Sequence, residues 1–282
     1  MENILLTQQE FIKIRDFLKT SCGIFLENDK EYLVKTRLFD LVNEADGNFT
    51  KLVEWALTNQ KGMYQKLIHL LTTHETFWFR DDSFWNTLEK YIFPQLLKKI
   101  KRGEDIYIWC AGCSTGQEPY SIAILIDELC KQMQIPFSIE RFNILATDIS
   151  QEVLEKAKRG RYTEFDRRRG ISECRKQLYF TPSNDQTLDS WQLHPSISQR
   201  VQFRPFNLID DFMGTHGRFH LILCRNVLVY FAPEFKKSVL SKMANLLNPE
   251  GFLFLGASES IENTDDSLKK EEFENGKYYQ KR

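Results

Sequence analysis

A short loop of small residues carries the first sign of chemistry in this sequence. The apolar run 106–111 predicts a buried strand, and the loop 112–116 follows it directly. Pro119 then stands inside the start of an amphipathic helix. Loops of this kind let a ligand approach the backbone closely at the carboxyl end of a strand. The sequence therefore predicts a cofactor contact at this loop, including Gly112.

A second apolar run, 144–147, ends in the acidic residue Asp148. At the end of a neighbouring strand, a carboxylate can accept hydrogen bonds from both hydroxyls of a ribose. Asp148 lies farther from the glycine loop than the roughly 20 residues of the dinucleotide fingerprint, and the loop lacks G-x-G-x-x-G. This favours an adenosine ligand without a pyrophosphate over a nicotinamide or flavin dinucleotide. Asp148 is also placed to cap the helix predicted after it, a role compatible with the first.

A third apolar run, 221–224, is followed by polar residues where its strand ends. Because the carboxyl ends of parallel strands share one edge of a sheet, Arg225, Asn226 and Tyr230 should lie where a reacting group meets the cofactor. The alternative for Tyr230 is an aromatic residue of the core.

The elements that position these residues follow from the alternation of segments. From residue 105 onward, runs rich in Ile, Val and Phe alternate with helical segments, which is typical of a parallel sheet with crossover helices. The order of these elements predicts a doubly wound α/β fold. The earlier residues carry apolar positions at helical spacing and predict a separate helical region, with a boundary near 80–104. We predict strands at 106–111, 142–147, 201–206, 219–224 and 252–255 and helices at about 118–133, 151–158 and 234–247.

The segment between residues 158 and 201 is too long for an ordinary crossover loop. Alternation over 177–181 and 188–193, with the turn-rich 182–185 between them, predicts an inserted β-hairpin. Such an insertion is either a recognition arm for a partner or a surface elaboration without one.

Composition narrows the class of protein. With 282 residues, 42% of them hydrophobic, the chain predicts a folded globular protein of about two domains. A formal net charge of -1 argues against a nucleic-acid-binding protein. The sequence has no apolar run of roughly 18 residues and no signal pattern, so we expect a cytoplasmic protein without membrane insertion. Cys110 and Cys113 form a C-x-x-C, but no second pair at zinc spacing follows, so we expect reduced thiols and no metal.

The sequence closely resembles the CheR-type chemotaxis receptor methyltransferases, and the resemblance spans nearly the whole chain. Six motifs in the family's order carry it: TFWFR at 76–80, CSTGQEPYS at 113–121, ATDI at 146–149, NL at 207–208, CRNV at 224–227 and GASE at 256–259.

The resemblance implies a Rossmann-like, doubly wound α/β methyltransferase fold. It implies a small all-helical N-terminal domain at 1–80, a linker helix at 81–104 and an S-adenosylmethionine-dependent methyltransferase domain at 105–282. An inserted antiparallel β-subdomain is implied at about 177–200. The implied cofactor is S-adenosylmethionine, with S-adenosylhomocysteine as product and no metal. The implied partner is the cytoplasmic helical region of methyl-accepting chemotaxis receptors, and a receptor C-terminal peptide is a further candidate ligand at the β-subdomain.

The family pattern also implies roles for individual residues. Glu118 and Asp148 are implied to offer carboxylates to the methionyl amine and the ribose hydroxyls, without fixing which makes which contact. Arg80 and Tyr230 are implied to lie beside the methyl group, and Arg37 in the second helix to contact the receptor, although the denser arginines of some members are missing around it. The residues implied around the cofactor are His74, where many members have Asn, Thr76, Arg80, Gly112, Glu118, Asp148, Asn207, Leu208, Arg225 and Asn226.

The reaction implied is an in-line displacement in which a carboxylate oxygen attacks the methyl carbon of a sulfonium. A glutamate with a pKa near 4.3 is already ionised at neutral pH, so no general base is needed. Arg80 and Tyr230 would then orient the carboxylate, unless Arg80 instead forms a surface ion pair with Asp81 or Asp82. The alternatives are a methyltransferase for another acceptor, such as a nucleic acid or a small molecule, a binding or docking module without turnover, and a scaffold. The segment 225–228 lacks the Asn-Pro-Pro-aromatic pattern that accompanies adenine methylation.

Overall fold

The fold combines a group of short helices with a mixed β-sheet that helices cover on both faces. The structure is a computed structural model, and it describes residues 5–135, 140–183, 190–212, 219–261 and 267–282. Within these ranges, no helix combines the length and the apolar character needed to cross a bilayer.

The N-terminal part is helical, as predicted. Helix α1 begins at a capping box, in which Thr7 and Glu10 satisfy each other's backbone N–H groups, and it ends at Gly23, whose φ of 74° is left-handed. The apolar faces of the helices pack into one cluster. The end of this domain at residue 80 remains a prediction. The helices described here are α1 (Gln8–Cys22), α2 (Glu31–Glu44), α3 (Phe49–Leu57) and α4 (Met63–Leu71).

A further helical stretch leads to the sheet. It consists of α5 (Asp82–Thr87), a π-helical turn (Leu88–Ile92) and α6 (Phe93–Lys101). Its buried face joins the same apolar cluster as Ile106 and Ile108, the first buried positions of the sheet. The segment predicted as a linker helix over 81–104 therefore packs on the sheet as part of its core.

The rest of the chain alternates between strands and helices. The strands in the described residues are β1 (Ile106–Ala111), β2 (Phe142–Asp148), β3 (Arg161–Thr163), β4 (Phe180–Pro182), β5 (Ser190–Leu193), β6 (Val201–Pro205), β7 (Phe219–Cys224), β8 (Leu247–Leu255), β9 (Leu268–Phe273) and β10 (Gly276–Lys281). The helices are α7 (Gln117–Gln132), α8 (Gln151–Arg159), α9 (Glu164–Arg168), α10 (Glu173–Tyr179), α11 (Pro195–Ser198) and α12 (Pro233–Leu246).

The central sheet has the strand order β6-β2-β1-β7-β8-β10-β9. The neighbouring strands from β6 to β8 run parallel, whereas β10 is antiparallel to both β8 and β9. The chain proceeds from β1 to β2 and β6 on one side and from β7 to β8 on the other, so the winding reverses between β1 and β7. The predicted doubly wound α/β fold is confirmed, and the five predicted strands and three predicted helices lie where they were expected.

The antiparallel pair β9 and β10 was not predicted. Strand β9 lies at the edge of the sheet, and its sequence LKKEEF places four charged residues between two apolar ones. Charges on an edge strand protect it from pairing with other chains, but they also break the apolar alternation by which a strand is recognised.

The inserted segment forms a second, three-stranded antiparallel sheet in the order β3-β5-β4. The predicted antiparallel pairing of the hairpin is confirmed by β4 and β5. The prediction that 177–179 belong to a strand is wrong, because these residues end α10, which Ser172 caps. Strand β3 also brings in residues before the predicted insertion. Residues 184, 185, 188 and 189 of the predicted turn and second strand lie outside the described residues.

Candidate active site

A pocket opens at the carboxyl ends of β1, β2 and β7, where the winding of the sheet reverses. Open α/β sheets bind their ligands at this position. The segments that follow α1 and α4 complete the wall of the pocket. The predicted site residues that line it are His74, Thr76, Arg80, Gly112, Glu118, Asp148, Asn207, Leu208, Arg225, Asn226 and Tyr230.

Asp148 ends β2 and is buried in the wall of this pocket. Its Oδ2 accepts a hydrogen bond from the Ser114 backbone N–H at 2.8 Å, and its Oδ1 accepts one from the Ser150 N–H at 3.0 Å. Burial raises the pKa of the Asp148 carboxyl, and these hydrogen bonds oppose the rise because they stabilise the ionised form. Each oxygen has a further lone pair for a ligand hydroxyl. The N-cap position of α8 is occupied by Ser150, whose side chain makes no capping hydrogen bond, and not by Asp148.

The glycine loop lies tightly against the loop that follows β7. Gly112 has a φ of 72°, and a Cβ atom placed there would come within 2.4 Å of the Val227 side chain. A larger residue would therefore push the two loops apart. Ser114, which the motif-based prediction did not single out, donates its hydroxyl to the His74 carbonyl at 2.7 Å. Together with its hydrogen bond to Asp148, this contact joins the glycine loop, β2 and the segment after α4.

Arg225 organises one wall of the pocket, and its side chain is only 2% exposed. Its Nη1 donates to Glu118 Oε2 at 2.8 Å, while Nη2 donates to the Asp81 carboxylate and, at 3.0 Å, to the Arg80 carbonyl. The guanidinium lies 3.8 Å from the centre of the Phe84 ring. Because an unpaired buried charge is costly, these contacts commit Arg225 to holding Glu118 and the 80–81 backbone. Sequence reasoning missed the role of Asp81.

Glu118 is the second carboxylate of the pocket and is largely buried, with 16% of its side chain exposed. Burial raises the pKa of its carboxyl, and the charge of Arg225 opposes that rise. Its Oε1 atom accepts no hydrogen bond from the described residues, so this oxygen can take a cationic group of a ligand.

Arg80 and Tyr230 lie at the same pocket with their polar groups uncommitted. The Arg80 guanidinium lies 5.3 Å from the Phe77 ring centre and forms no ion pair with any described residue. The predicted alternative, an ion pair with Asp81 or Asp82, does not occur in the described structure, and Asp81 instead binds Arg225. Tyr230 is 41% exposed, which argues against the core alternative, and its hydroxyl has no partner within the described ranges. Its carbonyl accepts a hydrogen bond from the Phe25 N–H at 2.9 Å and so anchors the segment after α1.

The loop after β7, which carries Tyr230, is held by a carboxylate that sequence reasoning did not assign to the site. Glu259 accepts four backbone hydrogen bonds, from Asn226 at 2.8 Å, Val227 at 3.1 Å, Val229 at 3.0 Å and Gly256 at 2.6 Å. A charged acceptor at the centre of four N–H groups stabilises a loop that has little regular structure, including the left-handed Asn226 with φ of 58°. The GASE motif was the signal that could have identified it.

Two other predicted cofactor residues have polar atoms committed to the protein. His74 Nε2 lies 2.9 Å from both Thr72 Oγ1 and the His69 carbonyl, and burial lowers the pKa of this imidazole. Asn207 donates its side-chain N–H to the Ser21 carbonyl at 2.7 Å and thereby fixes the end of α1. Their contacts position the pocket wall.

Arg37 does not line the pocket. Its Nη1 donates to the carbonyls of Leu70 at 3.3 Å and Thr72 at 2.8 Å, which lie at the end of α4. Cations at a helix C-terminus stabilise its free carbonyls. Arg37 thus supports the segment that leads into the pocket, and its contact with a receptor stays a prediction.

The two cysteines of the C-x-x-C near the pocket are buried thiols. Cys110 and Cys113 are free, and burial raises the pKa of both. In the part of the chain that the structure describes, no cluster of His, Cys, Asp and Glu could hold a metal ion.

The side chains of the pocket suit S-adenosylmethionine. Buried carboxylates at Asp148 and Glu118 match hydroxyl donors and a cationic amine, and Ile149, Phe206 and Leu208 supply apolar surface for a base.

Comparison with known proteins is consistent with this geometry. Residues 74–277 match the family model "CheR methyltransferase, SAM binding domain". The chain is 38% identical to chemotaxis protein methyltransferase 1 of Pseudomonas aeruginosa over 260 residues, which cover 91% of this chain and 92% of that protein. It is 36% identical to chemotaxis protein methyltransferase Cher2 of Pseudomonas putida (96% and 97% covered) and 33% identical to the chemotaxis protein methyltransferase of Borreliella burgdorferi (92% and 90%).

Proposed function

This chain belongs to the CheR family of chemotaxis methyltransferases, and on that premise we propose how its pocket transfers a methyl group to glutamate side chains of a receptor. The protein is an S-adenosylmethionine-dependent methyltransferase of chemotactic adaptation. One observation carries the assignment of residues: the pocket combines two buried carboxylates with an arginine and a tyrosine whose polar groups have no partner among the described residues.

Two carboxylates hold the cofactor in this proposal. Asp148 accepts hydrogen bonds from the ribose hydroxyls, because this residue lines the pocket at the end of β2. Glu118 receives the methionyl amine at its free oxygen. When bound, S-adenosylmethionine supplies a methyl group that passes to the acceptor carboxylate, while its sulfur keeps the electrons of the broken bond.

Arg80 and Tyr230 orient the acceptor. A glutamate side chain is ionised at neutral pH, so the protein needs no base and instead removes water and fixes direction. The Arg80 guanidinium can grip one carboxylate edge, and the Tyr230 hydroxyl can donate to the same group. Neither side chain forms an ion pair with a residue that the structure describes, which keeps both available.

The partner is proposed to be the cytoplasmic helical region of methyl-accepting receptors, which would place the protein in the cytoplasm. Arg37 is proposed to contact that region from α2. The edge of the small sheet at β4 is a candidate site for a receptor C-terminal peptide, since an exposed sheet edge can accept an added strand. Nucleic acid is not proposed as a partner, given the net charge of -1.

Methyl transfer from labelled S-adenosylmethionine to a purified receptor signalling fragment tests this proposal. The product should release methanol in base, as an ester does. Arg80→Ala should lower kcat/KM by at least about tenfold, equivalent to 1.4 kcal/mol in the barrier. Arg169→Ala is a matched control, because Arg169 lies over the same Phe77 ring at 4.9 Å and pairs with Glu75 but does not itself line the pocket. Cofactor binding without any transfer to the fragment would favour the binding-module alternative.

A further inference from the structure

A second groove lies beside the pocket, at the carboxyl end of β8 and the turn between β9 and β10. We call it the hairpin groove, and its wall includes Arg225, Gly256, Ser258, Lys270, Lys277 and Tyr279. Arg225 lines both this groove and the cofactor pocket, so the two are adjacent.

Two lysines give the hairpin groove positive charge that no described residue pairs with. Lys270 pairs in register with Tyr279 across β9 and β10, and Lys277 precedes Tyr279 by two residues, so the three side chains share one face. Both lysines are exposed, and neither forms an ion pair or hydrogen bond with any residue that the structure describes. By contrast, Lys269 on the other face binds Glu271 at 2.5 Å.

Among the described residues, the acidic side chains that line the groove do not neutralise these lysines. Asp81 binds Arg225, and the Glu259 carboxylate accepts four backbone N–H groups. Glu272 stands opposite Lys277 in the strand register but makes no ion pair with it in the described structure. The groove thus offers positive charge to a ligand.

The spacing of the strands that lead to the pocket and to the hairpin groove fits a helical substrate. Two strand spacings separate β7, which leads to Tyr230, from β10, which carries Lys277, and this amounts to about 10 Å. An α-helix rises about 5.4 Å per turn, so this distance corresponds to one or two turns.

We propose that Lys270 and Lys277 bind a second acidic side chain of the receptor helix, one or two turns from the glutamate that is methylated. This inference rests on the proposed function, since it assumes a helix whose glutamate enters the adjacent pocket. The hairpin groove then selects acidic helices and sets which glutamate reaches Arg80 and Tyr230.

The test compares Lys270→Glu/Lys277→Glu with Lys269→Glu, a charge reversal on the other face of β9. Binding of a receptor helix fragment to the protein loaded with S-adenosylhomocysteine is measured beside methyl transfer. A second fragment carries Gln in place of the acidic residues one and two turns from the target glutamate. We expect the double variant to raise Kd and KM for the acidic fragment by about tenfold at low salt, with kcat and cofactor affinity unchanged. The Gln fragment should show no difference between the proteins.

The inference would be overturned if the double variant bound both fragments with the same Kd as Lys269→Glu. It would also be overturned if the wild-type protein bound neither fragment. If the wild-type protein bound the acidic fragment without methylating it, only the proposed function would be refuted. The Kd values of the double variant and of Lys269→Glu would still test the inference.

Discussion

The Glu259 carboxylate provides a direct test of how the loop after β7 is held. Glu259→Gln keeps the size of the side chain but removes its charge and one acceptor atom. In the native protein, each carboxylate oxygen accepts two backbone N–H groups. A glutamine NH2 group cannot accept a hydrogen bond from an N–H group, so two of the four hydrogen bonds are lost and the other two become neutral.

The magnitude follows from the type of hydrogen bond. A hydrogen bond to a charged group contributes about 1.5 to 3 kcal/mol, and a neutral one about 0.5 to 1.5 kcal/mol. Glu259 is half-buried and Val229 is exposed, so water replaces part of what is lost. We expect the free energy of unfolding to fall by about 3 kcal/mol. Tyr230 belongs to the same loop, and its displacement should lower kcat by about tenfold or more.

Urea unfolding followed by tryptophan fluorescence measures the first effect, and initial rates of methyl transfer at saturating cofactor measure the second. Rates are taken at a temperature where both proteins are folded. Glu155→Gln is the matched control, because the Glu155 carboxylate is exposed on α8 and, among the residues described, pairs only with Lys158 at 2.8 Å. This change should leave both the urea midpoint and kcat as in the wild type.

Equal urea midpoints and a kcat within twofold for Glu259→Gln and the wild type would refute the reasoning. Such a result would mean that the loop keeps its shape without the charged acceptor. A loss of stability with unchanged kcat would separate the two claims, supporting the role of Glu259 in folding and rejecting its role in placing Tyr230.

Two further predictions concern the cofactor wall. Asp148→Ala should weaken S-adenosylmethionine binding by at least about thirtyfold in calorimetry, since two charge-assisted hydrogen bonds are removed; unchanged affinity in a folded variant would reject the ribose contact. Burial lowers the pKa of His74 from 6.5, so the unfolded chain binds a proton at this imidazole more readily than the folded protein does. Keeping the ring neutral in the folded protein costs nothing well above pH 6.5, and the cost grows as the pH falls below that value. The free energy of unfolding should therefore fall more steeply between about pH 7 and 5.5 in the wild type than in His74→Asn, and parallel urea-midpoint profiles would contradict this.

Much of the central sheet was predictable because its strands are buried on both faces. Such strands appear in a sequence as short apolar runs, and β1, β2 and β7 have this form. The polar residues after them mark the edge where ligands bind, so the sequence alone predicts Asp148 and Arg225 as pocket residues. The charged edge strand β9 gave no such pattern. The residues 177–179 were assigned to a strand although they end a helix, because over so few residues Tyr179 buried beside exposed Leu178 suits either element.

The sequence by itself determined the α/β order of elements, the family motifs and many of the residues that line the pocket. It did not determine which polar group binds which, because those partners are brought together by the sheet from distant parts of the chain. Only the tertiary structure decided that Arg225 binds Glu118 and Asp81 and that Glu259 holds the loop of Tyr230. It also decided that Arg80 forms no ion pair with any described residue. The physical reason is that a buried charge must be paired, and the partner that satisfies it depends on where the strands end in space.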